Sequence, residues 1–228
     1  MTHERYIVCG NRPWIRPIFT EAIDSLPGEW VYVDCPKELE KALEREPDPR
    51  YVFFLHWSWI VPKSITDRYE CVCFHMTDVP YGRGGSPLQN LIERGHRETV
   101  LTALRMVRDL DAGPVYMKDS LSLAGTAEEV YLRATRVAVS MIRRIVHSQP
   151  SPTPQVGEPV VFNRRAPDQS RLPEVETLDD LYDFIRMLDA EGYPHAFLRH
   201  GRFVLEFRRA ALYADRVQAD VIFRPTES

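Results

Sequence analysis

Cysteine is scarce and patternless: Cys9, Cys35, Cys71 and Cys73 form no Cys-x-x-Cys pair, and no His-x-x-x-His spacing accompanies them. That speaks against zinc or any other metal and for free thiols in a reducing compartment. An excess of basic charge is also missing. The net charge is −4, with Arg and acidic residues interleaved, whereas a protein that grips a phosphate backbone usually shows a basic face or tail. No nucleic acid partner is therefore expected. No apolar run approaches the length that spans a bilayer, and residues 1–20 lack a signal-type apolar core. No membrane partner and a cytoplasmic location are the expectations. Internal repeats are absent. What remains is 228 residues, 44% apolar and 27% charged, the composition of a globular chain long enough to bury a core without a staple.

The pattern along the chain is strand, helix, strand, helix, strand. "RYIVCG" (Arg5–Gly10) is a β-branched run closed by glycine, and "IRPIFTEAIDSL" has helical spacing through Ile15, Ile18, Phe19, Ala22, Ile23 and Leu26, with Pro17 in its first turn. "WVYVD" follows, then a helix opened by Pro36, the strand "YVFFLHW", a short helix near Lys63–Tyr69, and the strand "CVCFH". This alternation is the signature of a parallel sheet covered on both faces, and two-sided burial makes its strands read as continuous apolar runs. "SPLQNLIERG" reads as a helix. "ETVLTALRMV" leans towards a strand that returns through "DLDAGP" into "GPVYMKDSLSL". The longest helical pattern begins after Gly125, where Thr126 and Glu129 form a capping box. "QPSPTPQVGEP" is proline-dense and linker-like. It divides residues 1–149 from a smaller part, 150–228, which holds a helix at "LDDLYDFIRMLDAEGYP" and the strand pair "HAFLRH–GR–FVLEFRRAAL".

Ligands of open α/β sheets bind beyond the carboxyl ends of the strands, and His75 stands at such an end, before a loop rich in Gly and Pro. A histidine there either caps backbone groups or works with a partner. The candidate partners are Asp109 and Asp111, both in a Gly-containing turn where a carboxylate would project; an Asp fixes an imidazole tautomer and stabilises the imidazolium. "YGRGGSP" can approach an anionic ligand through backbone N–H groups, but matches neither a P-loop nor a dinucleotide fingerprint. Thr77 and Asp78 beside it either bind ligand or cap the loop. Trp57 and Trp59 in "LHWSWIVP" are either an aromatic wall or core anchors. His56, His195 and His200 read as structural or exposed.

Together these segments resemble the formyltransferases that use N10-formyltetrahydrofolate. The family pattern runs Asn-x-His-x-Ser-x-x-Pro, a glycine-containing loop, then Asp in an Asp-Ala-Gly turn. "CFHMTDVPYGRGGSPL" supplies His75, Thr77, Pro80, Arg83, Gly84 and Pro87 in register. "DLDAG" supplies Asp111, 36 residues after His75, and decides between the two carboxylates. "SWIVP" is similar to the segment that lines the folate pocket, and "FNRRAPDQSRL" with "LYDFIRMLDAEGYPHAF" is similar to the family's later part. One position departs: Cys73 stands where the family has an Asn that holds the formyl oxygen as it becomes an oxyanion. Losing one such donor typically costs about 3–4 kcal/mol, and a thiol is a weak substitute.

The resemblance implies an α/β enzyme with an open, largely parallel, Rossmann-like sheet flanked by helices and a small C-terminal α+β extension. The reaction implied is N-formyl transfer from N10-formyltetrahydrofolate, a co-substrate that needs no metal, to a primary amine. His75 and Asp111 would be catalytic, with Cys73 beside them at the family's Asn position. Trp59, Ile60, Val61, Arg83, Gly84, Asp109 and Gly113 would line the folate site, and Thr77, Asp78 and Tyr81 the acceptor site. By elimination the acceptor expected is a nucleotide-linked amino sugar, as in surface polysaccharide precursors; an amino-acid amine is the alternative. A non-catalytic folate- or nucleotide-binding relative is the rival reading. A homodimer is expected, to which Tyr182, Phe184, Tyr193 and Phe197 would contribute unless they pack in the core.

Overall fold

Every residue of the first strand, β1 (Arg5–Gly10), is buried, which a strand achieves only when both faces of its sheet are covered. A computed structural model describes residues 4–23 and 26–226. After β1 come α1 (Ile15–Ala22), β2 (Glu29–Val33), α2 (Pro36–Leu43), β3 (Tyr51–Leu55), α3 (Lys63–Arg68) and β4 (Cys71–His75). The glycine-rich stretch forms β5 (Tyr81–Gly84); then follow α4 (Pro87–Glu93), β6 (Glu98–Arg105), β7 (Val115–Ser122), α5 (Ala127–Ser148), β8 (Val160–Phe162), α6 (Leu178–Arg186), β9 (Ala196–His200), β10 (Phe203–Leu212) and β11 (Val217–Pro225). The expected helix through Leu26 stops at Ala22, and Asp24 and Ser25 lie outside the described residues.

The main sheet has the order β2-β1-β3-β4-β6-β7. β1 pairs in parallel with β2 and β3, β3 with β4, and β6 runs antiparallel to β4 with His75 opposite Thr102. One face packs Ile7, Cys9, Val52, Phe54 and Cys71 against Leu39, Ala42 and Leu43 of α2 and Ile65 of α3. On β3 the intervening Phe53 lies within 6.4 Å of both Trp30 and Phe74, ring centre to ring centre. Burying each such side chain is worth about 1.5–3 kcal/mol. The architecture is the expected Rossmann-like, mostly parallel sheet flanked by helices, with an antiparallel C-terminal sheet ordered β11-β10-β9.

Local chemistry explains several boundaries. Pro36 sits in the first turn of α2, where its missing N–H costs nothing. Arg5 is 1% exposed, and its guanidinium donates to the Ala42 carbonyl in the last turn of α2 and to the carbonyls of Arg45 and Pro47 in the loop beyond it. The capping box before α5 is present: Glu129 Oε2 accepts from the Thr126 N–H at 2.8 Å, and Thr126 Oγ1 from the Glu129 N–H. The chain divides into two compact units, Met1–Gly84 with Thr99–Leu121 and Leu132–Val161, and Gly85–Glu98 with Ser122–Tyr131 and Phe162–Ser228. Among the described residues, no helix is long and apolar enough to cross a membrane.

Candidate functional site

An extended strand alternates its side chains, so Cys71, Cys73 and His75 share one face of β4. The turn after β4 contains a cis Val79–Pro80 bond and leads into β5, where Gly82 (φ 77°) and Gly84 (φ 107°) take backbone angles that favour glycine. This turn folds the Gly82 carbonyl onto His75, 2.7 Å from Nε2. Because a carbonyl only accepts, Nε2 carries the hydrogen. Thr77 Oγ1 donates to the same oxygen at 3.2 Å, and Thr102 Oγ1 donates to the Thr77 carbonyl at 2.7 Å. Thr77 is fully buried; its hydroxyl holds the loop.

Asp111 faces the other ring nitrogen. Its Oδ2 lies 3.5 Å from His75 Nδ1, and both side chains are about nine-tenths buried, at 9% and 10% exposure. The same Oδ2 accepts the Gly84 N–H at 3.0 Å. Asp111 has φ 53°, a left-handed backbone that Asp tolerates better than most residues. Gly113 turns the loop back beside β6, where a Cβ would sit 1.8 Å from the Arg105 carbonyl oxygen. Close backbone approach therefore explains the glycine of the Asp-Ala-Gly turn.

Cys73 belongs to the same group. Burial, then the Asp111 carboxylate, then Cys71 push its thiol far above the usual range, so it stays protonated. Cys73, Trp57, Val61 and Met106 are each partly buried against the apolar core of the sheet. Trp57 meets Phe54 and Trp59 edge-on, with ring centres at 5.8 and 4.8 Å. Trp59 is 43% and Ile60 95% exposed. Val107 and Leu110 are also exposed, as is Asp109, whose carbonyl accepts the Ala112 N–H at 3.2 Å. The half-buried Trp57, with the exposed Trp59 edge-on to it, is an aromatic surface that suits a flat ring system.

The other expected residues take varied positions. Arg83 donates from Nε and Nη2 to Gln155 Oε1 at 3.0 and 2.7 Å. Asp78 is exposed and paired with Lys118, and the half-buried Tyr81 donates its N–H to the Asp78 carbonyl at 3.0 Å. His56 Nε2 lies 3.0 Å from Thr135 Oγ1. All four cysteines are free. Two residues important to the geometry were not singled out by the sequence for the roles they take. Gly82 acts through its carbonyl, where the loop suggested N–H donors, and Gln155 lies in the proline-dense segment. A cleft of about 640 Å³ lined by Glu4, Arg5, Asp48, Arg50, Arg68 and Glu70 opens at the amino ends of β1, β3 and β4. His75 is at the carboxyl end, and ion pairs occupy the cleft's walls.

Residues 167–224 match the family described as "Methionyl-tRNA formyltransferase, C-terminal domain". The methionyl-tRNA formyltransferase of Wolinella succinogenes is 28% identical over 161 residues, 68% of this chain and 52% of that protein. The chain thus spans about half the length of this curated relative. The solved structure of methionyl-tRNA formyltransferase from Clostridium thermocellum is 39% identical, with a TM-score of 0.90 over 97% of this chain and 99% of that one. A sugar N-formyltransferase from a Shewanella species shares the fold at 16% identity and TM-score 0.67, over 94% of this chain and all of that one.

Proposed function

The chain belongs to the formyltransferase family that includes the methionyl-tRNA formyltransferases, and from that premise we propose that it moves a formyl group from N10-formyltetrahydrofolate to the amine of an aminoacyl group. The observation that carries the reading is the His75–Asp111 pair at the carboxyl end of β4, nine-tenths buried and held by the backbone of Gly82 and Gly84.

Attack of the amine on the formyl carbon forms a C–N bond and leaves the amine nitrogen with a proton to lose. The Gly82 carbonyl engages Nε2, which leaves Nδ1, 3.5 Å from Asp111, to take that proton while Asp111 stabilises the resulting cation. The same proton then serves the departing folate nitrogen as the original C–N bond breaks. Folate supplies the formyl group and an aromatic ring system, for which the half-buried Trp57 and the Trp59 edge-on to it offer an aromatic surface. The neutral Cys73 thiol gives the developing oxyanion only a weak donor.

The nucleotide-sugar acceptor expected from the sequence gains little support. The sugar N-formyltransferase is similar at 16% identity, which speaks for the fold alone, while the 39% identical structure is a methionyl-tRNA formyltransferase. Support therefore moves to the amino-acid alternative. The expectation of no nucleic acid partner rested on overall charge and overlooked a local excess: residues 196–225 carry six Arg against three acidic residues, a modest basic stretch able to approach phosphates. Formyl transfer assayed side by side on methionyl-tRNA, free methionine and amino-sugar nucleotides tests the reading. Transfer to the sugars alone would overturn it.

A further inference from the structure

The proline-dense segment 149–159 is tied into the site at Thr153 and Gln155. Thr153 and Val115 exchange backbone hydrogen bonds at 2.7 and 2.8 Å. Two residues on, the carboxamide of Gln155 has every polar hydrogen and its oxygen engaged. Nε2 donates to the carbonyls of Asp111 and Gly113, both at 2.8 Å, and Oε1 accepts from Arg83 Nε and Nη2. The amide can lie only this way round, since the flipped group would face carbonyls with its oxygen and a guanidinium with its N–H groups.

We propose that Gln155, anchored by Arg83, is a positioning residue that clamps the Asp111 turn in its working shape. The inference rests on reading His75 and Asp111 as the reacting pair. Asp111 holds a left-handed backbone, less costly for Asp than for most residues but still disfavoured against ordinary backbone, so the turn gains from being held. Two carbonyls two residues apart converge on one amide nitrogen only while the turn stays curled. Three consecutive residues of β5 then control both members of the pair. The Gly82 carbonyl holds the His75 ring, Arg83 holds Gln155 and through it the Asp111 backbone, and the Gly84 N–H holds the Asp111 carboxylate. The guanidinium that the sequence suggested for ligand binding is directed at this bridge.

Two variants test the clamp. Gln155→Ala removes it, and Gln155→Glu keeps its size and its bond to Arg83 while turning an acceptor towards two carbonyls. Each should lower kcat by roughly 10–100-fold, as loss of a supporting hydrogen-bond partner or a misplacement near 1 Å does, and move either KM by less than about threefold. In an Asp111→Asn background the same substitutions should cost nothing further, because Gln155 acts through Asp111. Independently of turnover, an NMR pH titration of the His75 ring should shift in both Gln155 variants and, with Asp111→Asn present, stop responding to them. Unchanged kcat, losses that multiply with Asp111→Asn, an unmoved titration, or failure of both variants to fold would each overturn the clamp. A wild-type chain that transfers no formyl group would instead count against the proposed function, and the titration would still decide the role of Gln155.

Discussion

Replacing Asp111 by Asn removes one charge while disturbing little else. Asn tolerates the left-handed backbone at φ 53°, and its side-chain oxygen can still accept the Gly84 N–H that Asp111 now takes at 3.0 Å. What disappears is the attraction between the carboxylate and the imidazolium formed when Nδ1, 3.5 Å away, takes the amine's proton. At an effective dielectric of about 20, two unit charges at that separation interact by about 4–5 kcal/mol. Exposures of 9% and 10% leave little solvent to screen the pair. Such a loss corresponds to a fall in kcat of about 10³-fold. Single-turnover formyl transfer, with thermal melting as the control for folding, measures it. A variant that melts like the wild type and keeps kcat within about tenfold would refute the argument, since Asp111 would then stabilise no charge that matters to the step.

Gly113→Ala should destabilise the chain by at least about 2–3 kcal/mol, because its Cβ would overlap the Arg105 carbonyl; a clearly lowered Tm checks this. Cys73→Ala should change kcat less than about threefold, since a thiol is a weak donor. Cys73→Asn should raise kcat tenfold or more by supplying an oxyanion donor, and turnover of both variants decides. Burial pushes the Cys71 thiol up to about 12, and burial also holds Cys9 and Cys73 high. Their folded values lie above that of an unfolded thiol, about 8.5. Stability is therefore complete below that pH and falls as pH rises towards 12, where the unfolded chain ionises first. Melting curves from pH 8 to 11 should show that decline, and these thiols should resist iodoacetamide at pH 8 in the folded protein.

The main sheet was legible because two-sided burial leaves an unbroken apolar run. "RYIVCG" gave β1 its bounds, Arg5–Gly10, and "CVCFH" gave those of β4, Cys71–His75. The leaning of "ETVLTALRMV" towards a strand was right for Glu98–Arg105, where β-branched residues outweighed helical spacing. β5 and β8 were not legible. They are four and three residues long, two of the four are glycines, and their pairing joins segments far apart in the chain. β11 escaped notice because most of its residues are exposed and give no apolar pattern. His75 and Asp111 could be picked out by strand end, turn and family pattern. The groups that hold them could not, since a glycine carbonyl and a lone amide among prolines have no sequence signature.

The most direct test of the whole account is single-turnover transfer from N10-formyltetrahydrofolate to methionyl-tRNA by the wild-type chain, compared with its His75→Ala variant. The account predicts a formyl-methionyl product with the wild type and a rate lower by roughly 10²–10⁴-fold with the variant. Equal rates for the two chains, or no product on methionyl-tRNA together with product on an amino-sugar nucleotide, would contradict it.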